Sequence, residues 1–206
     1  NIILPDGSSK AFAAGTTLGE AVKQLSNSLA KKVLAADVNG ELTDLREVLV
    51  EGSKVSFLTF AEDGGKHAFR HTASHVMAQA VKRLWPDAQL AIGPAIENGF
   101  YYDIDMEHKL VPEDLPKIEA EMSRIVKENL PIEKVLMERQ EALDFFAAKH
   151  ENYKVELIND LPADAVISAY KQGEFTDLCA GPHLASTGKV KAFKLQSIAG
   201  AYWRGD

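Results

Sequence analysis

The sequence predicts an α+β protein in two parts, a small unit over residues 1–60 and a larger one over residues 67–206. Three observations carry this. Apolar residues recur at helical spacing in some segments and alternate in short runs in others, with no internal repeat. The polar stretch "AEDGGK" at 61–66 separates the two parts and reads as a linker. A hydrophobic fraction of 46% in 206 residues is enough to build a real core.

In the first part, "NIIL", the turn-forming "PDGSS" and "KAFAA" predict a β-hairpin. Thr17 and Glu20 stand at capping-box spacing, and Leu18, Ala21, Val22 and Leu25 give the next segment a helical apolar stripe. "KVLAADVNGEL" predicts a strand ending in an Asn39-Gly40 turn, and "SKVSFLTF" a final strand. Strands, a helix and further strands in this order make a β-grasp-like module.

The second part opens with a predicted helix from His67 to Trp85, which Pro86 ends. "AIGPAIENGFYYDIDM" reads as two strands about an Asn98-Gly99 turn. Leu115, Ile118, Met122 and Ile125 repeat at helical spacing in "EDLPKIEAEMSRIVKENL", which Pro131 closes. "EALDFFAAKH" predicts a shorter helix and "YKVELI" a strand, followed by strands at "AVISAY", "EFTDLCAG", "VKAFKLQSIAG" and "AYWRGD". The expected architecture is helices packed on a mostly antiparallel sheet.

Charge limits the functions available. The net charge is −7, and residues 1–60 hold 6 Lys and Arg against 7 Asp and Glu. Broad electrostatic capture of nucleic acid is excluded; RNA binding would need a local basic patch, shape, or help from a larger polypeptide. One cysteine forms no intrachain disulfide, no secretory signal is visible, and no apolar run is long enough to span a bilayer. The expected compartment is the cytoplasm.

Two short motifs carry candidate chemistry. "HTASH" at 71–75 places His71 and His75 one helical turn apart, opposite the stripe of Ala73, Val76, Met77, Ala80, Val81 and Leu84. The alternative is a solvated surface pair. "DLCAGPH" at 177–183 puts Asp177 and Cys179 on one strand face, and Gly181-Pro182 can turn His183 back toward it. Here the alternative is a cysteine that merely packs.

"RHTASHVMAQAVKRLWPDAQLAIGPAIENGFYYD", "YKVELI", "EFTDLCAGPH" and "AGAYWRGD" together resemble the N-terminal half of threonyl-tRNA synthetases, over essentially the whole chain. The resemblance implies a TGS domain over residues 1–60 and an editing domain over 67–206. It further implies that the aminoacylation core and anticodon-binding domain lie beyond this fragment. The fragment is then expected to be monomeric, the full-length family protein dimeric, and ATP binding and tRNA charging absent from it.

An editing site has a physical reason. Serine keeps the hydroxyl of threonine and lacks one methyl, a difference worth only about 1–3 kcal/mol, or roughly 10–200-fold. Rejection is therefore expected at a second site that hydrolyses the seryl ester on the acceptor end of tRNA(Thr) and spares the threonyl ester. Such a site needs one positioned water and a stabilised oxyanion.

By resemblance, His71 holds or activates that water and Lys154 is the matching cation. Asp177 orients the substrate ammonium, and His75 and His183 shape the pocket and bind the terminal adenosine or seryl group. Tyr102 stacks on or hydrogen-bonds the adenosine. Cys179 is pocket lining, nucleophile or ligand. No cofactor is expected. The competing readings are a zinc-dependent alanyl-type editor, with His71, His75, Cys179 and His183 as ligands, and a non-catalytic module that grips the tRNA acceptor.

Overall fold

A computed structural model describes residues 1–91 and 93–200. The chain forms two compact units, Asn1–His71 with Gly181–Ala185, and the remainder from Thr72 onward.

The first unit begins with the hairpin β1 (Ile2–Ile3) and β2 (Ser9–Lys10). The helix α1 (Leu18–Leu25) starts where the capping-box spacing predicts, with the Glu20 amide donating to Thr17 Oγ1 at 3.2 Å. After a short α2 (Asn27–Ala30), β3 (Ala35–Val38) lies between β4 (Glu41–Thr43) and β5 (Val55–Leu58), antiparallel to both. Asn39 and Gly40 make the β3–β4 turn with φ of 53° and 89°, the left-handed pair that a two-residue hairpin turn demands. Ile3 pairs in parallel with Lys54, tying the hairpin to the sheet. Ile2, Leu18, Ala36 and Val55 close the core between sheet and helix. This is the expected β-grasp-like arrangement.

The helix α3 (Asp63–Leu84) begins earlier than His67. Asp63 to Lys66, expected to be linker, are its first turn. Gly65 is there for close approach, since a Cβ would meet Thr59 O at 1.8 Å. A glycine that lets two segments touch looks, in sequence, like one that lets them part.

In the second unit, β6 (Gln89–Leu90) pairs with β9 (Ile104–Asp105), and β7 (Ala95–Ile96) pairs with β8 (Gly99–Phe100). Ile96 faces Gly99, so the turn residues are Glu97 and Asn98, one position before the expected pair. The helix α4 (Asp114–Glu128) buries Ile118, Met122 and Ile125, and Asn129 ends it at φ 49°. A strand β10 (Ile132–Met137), not anticipated from sequence, pairs with β11 (Ile167–Gln172), which pairs with β12 (Phe175–Leu178), all antiparallel.

Against this sheet lie α5 (Arg139–Ala148) and α6 (Asn152–Asn159). "YKVELI", expected to be a strand, forms most of α6. Its buried residues Lys154 and Ile158 are four apart, which is helical spacing, and Ile158 joins Ala142, Phe146, Ile167 and Ala169 in one apolar cluster. "VKAFKLQSIAG" holds no strand; the Leu195 amide donates to Glu119 Oε1 at 2.7 Å instead. "AYWRGD", residues 201–206, lies outside the described residues. Among the described residues, no helix is long and apolar enough to cross a membrane.

Candidate functional site

The helix α3 is enclosed over most of its second half. Ala73, Val76, Ala80 and Val81 are buried as the stripe predicts, but so are Thr72, Ser74, His75 and Gln79. His75 is only 3% exposed, so it is not a solvated surface residue, whereas His71 is half-buried. Polar groups on an enclosed helix need partners. Ser74 Oγ donates to Gly93 O at 3.0 Å, and Gln172 Nε2 donates to Gln79 Oε1 at 2.8 Å.

Asp177 is the hub of the second unit. It sits on β12 opposite Tyr170, on the same face as Phe175. Lys154 Nζ reaches Asp177 Oδ1 at 2.7 Å, and His75 Nε2 lies 3.2 Å from Oδ2. The Tyr102 hydroxyl also donates to Oδ2. Burial, and then the Asp177 carboxylate, push the Tyr102 phenol well above its ordinary pKa, so it stays a donor. Lys154 Nζ donates further to Ala91 O at 2.9 Å and to Tyr102 Oη at 3.1 Å, filling its three donor positions. His75 packs edge-on against Phe175, with ring centroids 6.2 Å apart.

The backbone around Lys154 is also anchored. Glu151, just before α6, accepts from the Leu90 amide at 3.2 Å and pairs with Lys82 at 2.9 Å. This puts α6 at the height where Lys154 meets the Ala91 carbonyl. Asp177 was expected to orient a substrate ammonium; in this geometry its carboxylate already meets Lys154, Tyr102 and His75. Its first effect is to fix Lys154, Tyr102 and His75 relative to one another.

Cys179 follows β12 directly and is half-buried. Its amide donates to Ser168 O at 3.1 Å, and Ser168 Oγ donates to its carbonyl at 2.5 Å. Gly181, at φ 78°, supplies the left-handed turn after it. In the first unit, His71 and His183 stack at a tilt of 31° with centroids 4.3 Å apart, and His67 lies 6.0 Å from His71. His183 is buried. His71 and His183 belong to the first unit, and His75 and Cys179 to the second.

Several contributors were not visible in sequence. Ala91 acts through its carbonyl, which any residue type supplies. Gly93 acts by having no side chain: a Cβ there would come 2.1 Å from the Tyr102 ring. Gly93→Ala is therefore expected to displace Tyr102 and to destabilise the fold by about 1–3 kcal/mol. Denaturant unfolding measures this, and an unchanged midpoint would mean that the ring has room to move.

Residues 1–59 match the family model of the TGS domain, and residues 167–206 match that of the "Threonyl and Alanyl tRNA synthetase second additional domain". The chain is 56% identical over 205 residues to a threonine–tRNA ligase of Clostridioides difficile, covering 100% of this chain and 32% of that protein. It is likewise 56% identical over 205 residues to one from Acetivibrio thermocellus, again covering 100% and 32%. The match to one from Carboxydothermus hydrogenoformans is 55% over 202 residues, covering 98% and 32%. The chain thus spans about a third of the length of the curated relatives it matches.

Proposed function

We propose, from the premise that this chain is a homologue of the threonine–tRNA ligases over about a third of their length, that it carries an editing site. The reaction is hydrolysis of the ester of seryl-tRNA(Thr), with threonyl-tRNA(Thr) spared. The observation that carries this reading is the buried set Lys154, Asp177, Tyr102 and His75, joined by hydrogen bonds and close polar contacts at the motifs that resemble an editing domain. A non-catalytic grip on RNA has no need to bury an ion pair 5% and 2% exposed.

In this reading His71 takes a proton from the attacking water, as imidazole is suited to do near neutrality. The water adds to the seryl carbonyl, the ester C–O bond breaks, and the terminal ribose oxygen leaves with the proton that His71 took from the water, which frees His71 for the next turnover. Lys154 provides a fixed positive charge for the developing oxyanion, held in place by Asp177 and the Ala91 carbonyl. His75, His183 and Tyr102 bind and orient the seryl-adenosine end. Cys179 lines the pocket. The partner is the acceptor end of tRNA(Thr), and the compartment is the cytoplasm.

Selectivity follows from rigidity. An extra methyl pressed against walls that cannot yield is an overlap costing about 1–3 kcal/mol. Side chains locked by mutual hydrogen bonds make such walls, and an aliphatic slot does not. Titrating the chain with seryl- and threonyl-adenosine ester analogues tests this. Tighter binding of the seryl analogue is expected, by roughly 10–200-fold; equal binding moves selectivity out of the pocket.

A second reading starts from the residue types of the two motifs, His71, His75, Cys179 and His183. Zinc takes three imidazoles and a thiolate at roughly 2.0–2.3 Å, and these four residues offer that donor set. Zinc held there would polarise the ester carbonyl or acidify a water. The metal-free reading is preferred because Lys154 and Asp177 already provide charge and orientation. The purified chain is expected to keep its deacylation rate after chelator treatment. Stoichiometric zinc, with activity lost on chelation and restored by zinc alone, would establish the other reading.

A further inference from the structure

Asp44 and Arg46, in the loop "TDLRE" of the β-grasp-like unit, hold the peptide backbone of His183 from both sides. Arg46 Nη1 donates to His183 O at 3.0 Å and Nη2 donates to Leu184 O at 2.7 Å. The His183 amide donates to Asp44 Oδ2 at 3.2 Å. The two side chains also fix each other, since Arg46 Nη1 donates to Asp44 Oδ1 at 2.8 Å and to Oδ2 at 3.0 Å. The Arg46 amide donates to Asp44 Oδ1 at 2.9 Å. Asp44 is only 5% exposed. These contacts bridge 137 to 139 positions of sequence.

We infer that Asp44 and Arg46 are positioning residues for His183, so that the N-terminal unit sets the geometry of a substrate-binding histidine. The catalytic part of this inference rests on the editing function proposed above. A planar guanidinium that spans two successive carbonyls fixes both their distance and their direction, which a lysine at the same place cannot do. A peptide group held at its N–H and its C=O keeps the direction of its Cα–Cβ bond. The His183 ring then has little freedom beyond its own side-chain torsions, and it meets the His71 ring at 4.3 Å. The clamp grips backbone alone, so its functional value depends on which side chain stands at 183.

Two measurements on the full chain test this. The first is hydrogen exchange of the 181–185 segment, which requires no activity. Arg46→Ala is expected to speed exchange there by about tenfold or more, with α4 and α5 unchanged and Arg46→Lys intermediate. Unchanged exchange would overturn the clamp whatever the chain catalyses.

The second measurement is a double-mutant cycle on seryl-tRNA(Thr) deacylation. Arg46→Ala is expected to raise KM about tenfold with little change in kcat, and to add nothing when His183 is already alanine. Full additivity of the two substitutions would show a structural role only and overturn the positioning assignment. If wild-type chain has no deacylase activity, the editing function fails, and the exchange measurement still decides the clamp.

Discussion

Lys154→Ala is expected to lower the unfolding free energy by about 3–5 kcal/mol, the cost of leaving one member of a buried ion pair without the other. The Lys154–Asp177 pair is 2.7 Å apart with both side chains almost wholly enclosed. Removing the ammonium also strips a donor from the Ala91 carbonyl and from Tyr102. Seryl-ester hydrolysis falls with it, because the same nitrogen supplies the fixed charge of the proposed site. The two effects separate in a second variant. Lys154→Met with Asp177→Leu removes both charges at similar volume, and most of the lost stability is expected to return while hydrolysis stays absent. Denaturant midpoints at unchanged m-value provide the readout. Wild-type stability in Lys154→Ala would show that water reaches this pair.

His71→Ala is expected to do the reverse, slowing hydrolysis by about 10²–10⁴-fold, the contribution of a positioned general base. Stability is expected to change by no more than about 1 kcal/mol, since His71 is only half-buried. Single-turnover ester loss and thermal unfolding together check this. Wild-type deacylation in this variant would mean that another group activates the water.

How much of this was legible in the sequence depended on whether the signal was local. Thr17 caps α1 because its oxygen and the Glu20 amide are three residues apart, and the Asn39-Gly40 turn announces itself in two residues. The stripe of α4 likewise repeats over fifteen residues. Six residues of "YKVELI" cannot settle between strand and helix; packing of Ile158 against Phe146 settles it. The strand β10 depends on β11, thirty and more positions away, for every backbone bond that defines it.

The same division runs through the site. His71, His75, Asp177, Cys179 and His183 stood out by spacing. Lys154 did not, since an isolated lysine beside a tyrosine reads as solvated until the family resemblance marks it, and it proves to be buried. Asp44 and Arg46 form an ordinary turn pair locally. Nothing in "TDLRE" says that its guanidinium will close on carbonyls 137 and 138 residues on.

The central claim, that this chain removes serine from tRNA(Thr), is tested most directly by ester loss. The chain is incubated in separate reactions with seryl-tRNA(Thr) and threonyl-tRNA(Thr), and the first-order rates are compared with that of spontaneous hydrolysis. Acceleration of seryl-ester loss is expected, exceeding that for the threonyl ester by at least about tenfold, the low end of what one methyl can discriminate. Equal acceleration of both esters, or none of either, would contradict it.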